Sequence, residues 1–104
     1  MNIQFYSKNI NLNDNLKNFI EKKLEALKKF EKHFLTLHLD LSKNTHHRKG
    51  ENYRAEINLN LKGNKLLRAE EITNDLMSAI DLVKDKIKAQ LIRLKEINIT
   101  KRRK

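Results

Sequence analysis

The sequence predicts an α+β domain of order β-α-β-β-β-α, a four-stranded sheet with two helices packed on one face. Three observations carry this. Four stretches alternate apolar and polar residues, two stretches repeat apolar residues at the helical period, and Gly, Asn and Asp punctuate the switches between them. Each strand then has one apolar face and each helix one apolar stripe. A helix layer on one side of the sheet buries all of them together. The 104 residues are 38% hydrophobic, enough for one modest core. Pro is absent and Gly occurs only twice, so long disordered linkers are not expected.

Ile3 and Phe5 alternate with Asn2, Gln4 and Tyr6, a short strand. Asn11-Leu12-Asn13-Asp14 then supplies helix-capping residues. From Asp14 to about Glu31, Leu16, Phe19, Ile20, Leu24, Leu27 and Phe30 share one helical face. The period switches at Leu35, which alternates with Leu37, Leu39 and Leu41 around Thr36, His38 and Asp40. Ser42 to Asn52 is polar, contains Gly50 and reads as a hairpin loop. Tyr53, Ala55, Ile57, Leu59 and Leu61 define a second long strand. Lys62-Gly63-Asn64-Lys65 reads as a tight turn, since Gly and Asn tolerate positive φ. Leu67 and Ala69 define a shorter third strand of the meander. From Thr73, read as the N-cap, Leu76, Ile80, Val83, Ile87, Leu91 and Leu94 form the stripe of a second helix. The globular domain is expected over 1–96, with 97–104 a frayed basic tail.

The formal charge is +10, from 23 basic and 13 acidic residues, which favours a polyanionic partner. Residues 73–104 carry nine basic and four acidic side chains, so the excess lies on the second helix and its tail. The open sheet face would show Thr36, His38, Asp40, Arg54, Glu56, Asn58 and Asn60, mixed in charge and without an aromatic. Sheets that read single-stranded RNA stack bases on aromatics, so binding is expected on the helices instead. Lys23 falls inside the apolar arc of the first helix. Its stem either snorkels along the core edge or aims the ammonium into the groove between the helices. Lys84, Lys88 and Lys95 line one flank of the second stripe, and Lys86 and Arg93 share a different face. Either row has the charge to follow phosphates, and a solvated helix face has the same pattern.

Chemistry of other kinds is not encoded. The chain has no cysteine, which excludes disulfides and thiolate metal sites and fits a reducing compartment. His46 and His47 are adjacent rather than i,i+4 on a helix, and with His33 and His38 they give no metal-ligand spacing. Ser7, Ser42 and Ser78 sit in no nucleophile motif. Gly50 and Gly63 form no phosphate-cradling loop. Asp81 and Asp85, interleaved with lysines, read as helix ion pairs. No catalytic residue, metal, cofactor or small-molecule substrate is expected. No signal peptide and no apolar run of membrane-spanning length is seen, so the expected location is the cytoplasm.

Several stretches carry a resemblance. They are Ser7-Lys8-Asn9-Ile10 with Leu12, Glu21-Lys22-Lys23-Leu24, Leu27-Lys28-Lys29-Phe30, Leu41-Ser42-Lys43 and Leu67-Arg68-Ala69-Glu70-Glu71. The most specific is Asp75-Leu76-Met77-Ser78-Ala79-Ile80-Asp81, then Asp85-Lys86-Ile87 and Gln90-Leu91. Over nearly its whole length the chain resembles the short ribosome hibernation promoting factors, also called ribosome-associated inhibitors. The resemblance implies a fold similar to a double-stranded RNA-binding domain. It implies binding of the small ribosomal subunit near the decoding site, where the protein overlaps messenger and transfer RNA, in stress or stationary phase. It assigns ribosomal RNA contacts to Lys22, Lys23, Lys28 and Lys29 on the first helix, and to Lys86, Gln90, Arg93 and Lys95 on the second. The free protein is expected to be monomeric, since long forms of the family carry a second, dimerising domain that this sequence lacks.

Met77, Ala89 and Ala26 depart from the family's usual Tyr, Arg and Lys, and each lost cation lowers salt-sensitive affinity. Lys84 and Lys88 are candidates to compensate, which adds them to the RNA-binding set. The alternative is a general double-stranded RNA-binding module without ribosome preference.

Overall fold

The computed structural model describes residues 2–44 and 52–102, with 96–102 as backbone. Its elements are β1 (Ile3–Lys8), α1 (Asp14–Leu24) continued by a 3-10 segment (Glu25–His33), β2 (Phe34–Lys43), β3 (Tyr53–Leu61), β4 (Lys65–Thr73) and α2 (Leu76–Arg102). The strands form one sheet in the order β1-β2-β3-β4. β1 pairs with β2 in parallel, and the β2-β3-β4 meander is antiparallel. Both helices cover one face, as the one-sided alternation demands.

Local chemistry explains the boundaries. The Asn13 side chain accepts from the Leu16 amide at 2.8 Å, capping α1. The single expected helix to Glu31 instead tightens at Glu25. A 3-10 turn advances 120° per residue, so Leu24, Leu27 and Phe30, spaced by three, line up on one buried row. The β3–β4 turn closes on Leu61 opposite Lys65, with Gly63 at φ +87° and Asn64 at φ +61°. The second helix is capped by Asp75, not Thr73. The Asp75 carboxylate accepts from the Ser78 amide at 3.0 Å, while Thr73 ends β4. Helical backbone then continues to Arg102, into the stretch where a frayed tail was expected. No Gly or Pro stands there to stop it, and basic residues suit a helix C-terminus.

The core joins Ile20, Leu24, Leu27 and Phe30 to the inner sheet residues Leu37, Leu39, Leu41, Ile57 and Leu59, and to Ile80, Val83, Ile87 and Leu91 of α2. The expected strand face beginning at Leu35 is corrected by one residue. A register shift between Phe34 and Thr36 turns Phe34 toward the core and leaves Leu35 exposed. A bulge adds one residue to one strand, so the alternation slips by one there.

The open face carries one buried charge. Glu56 is 6% exposed. Its carboxylate accepts from Arg68 Nη2 at 2.6 Å and Nε at 2.8 Å, and from Asn58 at 3.0 Å, and pairs with Arg54 at 3.0 Å. Burial pushes its pKa up, but the hydrogen bonds from Arg68 and Asn58 and the two guanidinium charges outweigh it and hold the pKa down. A carboxylate depressed in the fold stabilises above its unfolded pKa, and that contribution is lost as pH falls through the folded value. Glu56→Ala should therefore lower stability by about 1–3 kcal/mol at neutral pH. It should also flatten the acid limb below pH ~4.3, both read from thermal melts across pH.

Candidate nucleic-acid interface

The exposed cations of the two helices divide into sets with different surroundings. α1 and α2 run side by side in the same sense: Leu16 and Phe19 line one groove with Leu76 and Met77, and Lys23 reaches Asp81 further along. At that crossing four charges meet. Lys23 lies 3.5 Å from Asp81, and Lys84 lies 2.8 Å from Asp81 and 3.1 Å from Asp85. The Lys84 hydrogen bond comes first in holding the Asp81 pKa down, against a smaller desolvation effect, with both lysine charges adding to it. The Asp81 hydrogen bond likewise raises the pKa of Lys84, over the opposing effect of burial. Lys23 thus snorkels from the core edge into the interhelical groove, its ammonium on a carboxylate and 5.7 Å from the Phe19 ring. Lys84, only 14% exposed, is the centre of this quartet.

On the other flank of α2, Lys86 and Gln90 lean over β4. The Lys86 ammonium is 2.7 Å from Glu71 and donates to the Glu70 carbonyl at 3.2 Å. The Gln90 amide donates to the Arg68 carbonyl at 3.0 Å. The 3-10 segment sorts its own lysines by threes. Lys28 shares a row with Glu25 and Glu31. Lys29 shares a row with Lys32 and lies 5.2 Å from the Phe30 ring centroid.

Lys22, Lys88, Arg93 and Lys95 remain. Among the described residues none of the four has a carboxylate within ion-pair distance, and Lys22, Arg93 and Lys95 are exposed. The candidate cations are therefore not brought to one point. Lys23 and Lys84 sit in the interhelical groove, Lys86 and Gln90 at the sheet edge, and Lys88, Arg93 and Lys95 on the outer part of α2. The three departures from the family pattern all touch surface: Met77 is 54% exposed, Ala89 exposed and Ala26 half-buried.

The open sheet face presents the expected side chains, joined into pairs such as Asn60 to Thr36 at 2.7 Å. The expectation of no aromatic there is corrected. Tyr6 on β1 is 53% exposed and stacks on His38, with centroids 5.9 Å apart. Parallel pairing sets Gln4 beside His38 and Tyr6 beside Asp40, which puts Tyr6 on this face. The alternation of Tyr6 with Phe5 already carried that signal. The His46–His47 pair lies outside the described residues. Among the described residues no three His, Asp or Glu groups gather as a metal site, and no helix is long and apolar enough to cross a membrane.

Comparison with known proteins matches residues 3–98 to the family described as sigma 54 modulation protein / S30EA ribosomal protein. A ribosome hibernation promotion factor of Picosynechococcus sp. is 32% identical over 105 residues, covering 98% of this chain. The chain spans about half of that relative's length, 53%. The Thermus thermophilus Protein Y N-terminal domain superposes with a TM-score of 0.76 at 34% identity, covering 90% of this chain and 99% of that one. A ribosomal subunit interface protein from Coxiella burnetii has the same fold, with a TM-score of 0.79 at 22% identity, covering 92% and 99% of the two chains.

Lys84 and Lys88, though four residues apart, should behave differently. Lys84→Ala leaves Asp81 and Asp85 without their shared cation and should lower the melting temperature. Lys88→Ala should leave stability within about 0.5 kcal/mol. In RNA binding, Lys88→Ala should reduce the slope of log affinity against log salt by about 0.7–0.9, the share of one phosphate contact. Equal losses of melting temperature for the two variants would contradict this division.

Proposed function

Because the chain belongs to the sigma 54 modulation protein / S30EA ribosomal protein family, we propose that it is a ribosome hibernation factor. In this reading it binds the small ribosomal subunit near the decoding site and blocks translation by occluding messenger and transfer RNA. It works in the cytoplasm, in stress or stationary phase, and its contacts are to ribosomal RNA. It is monomeric when free and acts by steric occlusion, with no cofactor and no covalent chemistry.

The observation that carries this reading is the cationic outer surface of α2. Lys88, Arg93 and Lys95 lack carboxylate partners among the described residues, and Lys22 on α1 adds a further open cation. Unpaired cations on a rigid helix meet phosphate without first breaking an ion pair. Their binding releases condensed counterions, so affinity falls steeply with salt. Lys23, Lys84, Lys86 and Gln90 are proposed to join the contact by exchanging an internal partner for phosphate, and Lys28 and Lys29 to join it directly. Occlusion needs no reactive group. It needs a body that keeps its shape, and the sheet backing both helices supplies that.

Sucrose-gradient sedimentation with purified small subunits tests the reading. The protein should travel with the subunits at low salt. Counting only the four open cations as phosphate contacts, each doubling of salt should weaken the association about tenfold, and more steeply as the other lysines join. Excess arbitrary duplex RNA should fail to displace it, and displacement would favour a general double-stranded RNA-binding module instead. Protein found only in the free fraction at low salt would sink the proposal.

A further inference from the structure

The outer edge of β4 carries a self-complementary pattern under a two-residue guard. β4 ends the sheet, so every second residue turns its backbone N–H and C=O away from β3. The Arg68 and Glu70 carbonyls are taken by side chains of α2, which identifies Leu66, Arg68, Glu70 and Ile72 as the outward set. Their side chains also share the open face. Leu66 is 60% exposed and Ile72 48% exposed, two large apolar residues on an edge strand that charge does not blunt at its ends.

We propose that this edge is a pairing surface for a second copy of the chain, closed by Lys86 and Gln90 and opened when they turn to RNA phosphate. The trigger rests on the ribosome reading above; the surface itself does not. The occupant follows from register. Antiparallel pairing of β4 with β4 across a two-fold axis at Ala69 sets Arg68 opposite Glu70 and Leu66 opposite Ile72, each twice. Those positions exchange backbone hydrogen bonds with the partner strand in that register, because their N–H and C=O groups already point outward. Shifting by two in one direction puts Arg68 opposite Arg68; in the other it puts Glu70 opposite Glu70. Like charges directly opposite destabilise a strand pair, so only the central register is favourable on both counts. The result is an isologous dimer with one continuous sheet through both copies.

The guard explains how such an edge stays monomeric when the protein is alone. Lys86 and Gln90, four apart on α2, cap two carbonyls two apart on β4, at 3.2 and 3.0 Å. An incoming strand must donate to those same oxygens. The Lys86 ammonium is also held by Glu71 at 2.7 Å, which keeps the cover in place until a stronger anion competes.

The test is register-specific cross-linking. Leu66→Cys/Ile72→Cys places cysteines opposite each other only between copies, since six strand residues separate them within one by about 20 Å. In a Lys86→Ala/Gln90→Ala background without RNA, mild oxidation should give a covalent dimer, and sedimentation should show the monomer peak lost with rising concentration. Leu66→Cys alone should not cross-link. Leu66→Asp, at an exposed position, should return the unguarded variant to monomer. An unguarded variant that stays folded by circular dichroism and sediments only as monomer overturns the proposal, as does equal cross-linking by the single cysteine. With Lys86 and Gln90 intact, adding small subunits should raise cross-linking several-fold. Unchanged cross-linking of protein that pellets with subunits overturns the trigger alone. Protein that does not pellet overturns the trigger with the ribosome reading, while the RNA-free result still decides the surface.

Discussion

The seating of the α2 stripe on β3 and β4 is the constraint from which the rest follows. Ile80, Val83, Ile87 and Leu91 are all buried on the inner sheet face. With that stripe seated, the rotation of α2 about its axis is fixed. Every other residue of the helix then has an assigned neighbour. One flank meets α1, the opposite flank meets the free edge of β4, and the outer face meets solvent. A helix turned by even one residue, about 100°, would carry Lys84 or Lys86 into the core. The desolvation cost of a lysine there is what holds the rotation.

Because rotation is fixed, net charge is a poor guide to where the protein offers charge. Lys23 and Lys84 are satisfied by Asp81 and Asp85. Lys86 is satisfied by Glu71 and a backbone carbonyl. On the open face Arg54 and Arg68 are consumed by Glu56 and Glu70. Burial alone would lower the Arg54 pKa, yet the Glu70 hydrogen bond and three nearby carboxylates raise it. Among the candidate cations, those left without a carboxylate partner lie on α1, its 3-10 continuation and α2. The proposed division of labour follows: the sheet contributes stability and shape, and the helices the attraction for a polyanion.

Most of this fold was legible in the sequence because burial is one-sided. Period two from Leu37 to Leu41 and from Tyr53 to Leu61, and the helical period from Leu76 to Leu94, each report a single apolar face, and the structure has those faces where they were expected. What was not legible depends on partners distant in sequence. Nothing local to Phe34 and Leu35 tells which one turns inward; the bulge is set by pairing with β3. The change to 3-10 geometry at Glu25 leaves the same residues buried, so its apolar pattern reads equally as α-helix. Tyr6 was assigned to no sheet face until β1 took its place beside β2. For the site, lysine positions could be read and their partners could not. Asp81 sits three residues from Lys84 and was readable as a helix pair, but its contact with Lys23 crosses between helices.

Lys86 and Gln90 show why the same residue types can serve both stability and recognition. Their bonds to β4 close an edge that would otherwise offer unpaired carbonyls, a recurrent hazard of open sheets. A lysine held by one carboxylate and one carbonyl in contact with water is weakly held, since exposed ion pairs contribute only about 0–1 kcal/mol. Phosphate, with more acceptor oxygens and higher charge, competes for such a lysine at little cost. A pair that holds a buried carboxylate, such as Glu56 with Arg54 and Arg68, is bound differently, because breaking it strands the Glu56 charge away from water. The protein therefore places the pairs around its buried carboxylate on the open face, and pairs with carboxylates more open to water along the helices. Burial of the carboxylate, more than the type of the cation, separates these pairs: the Glu56 side chain is 8% exposed, against 23% for Glu71 and 43% for Asp81.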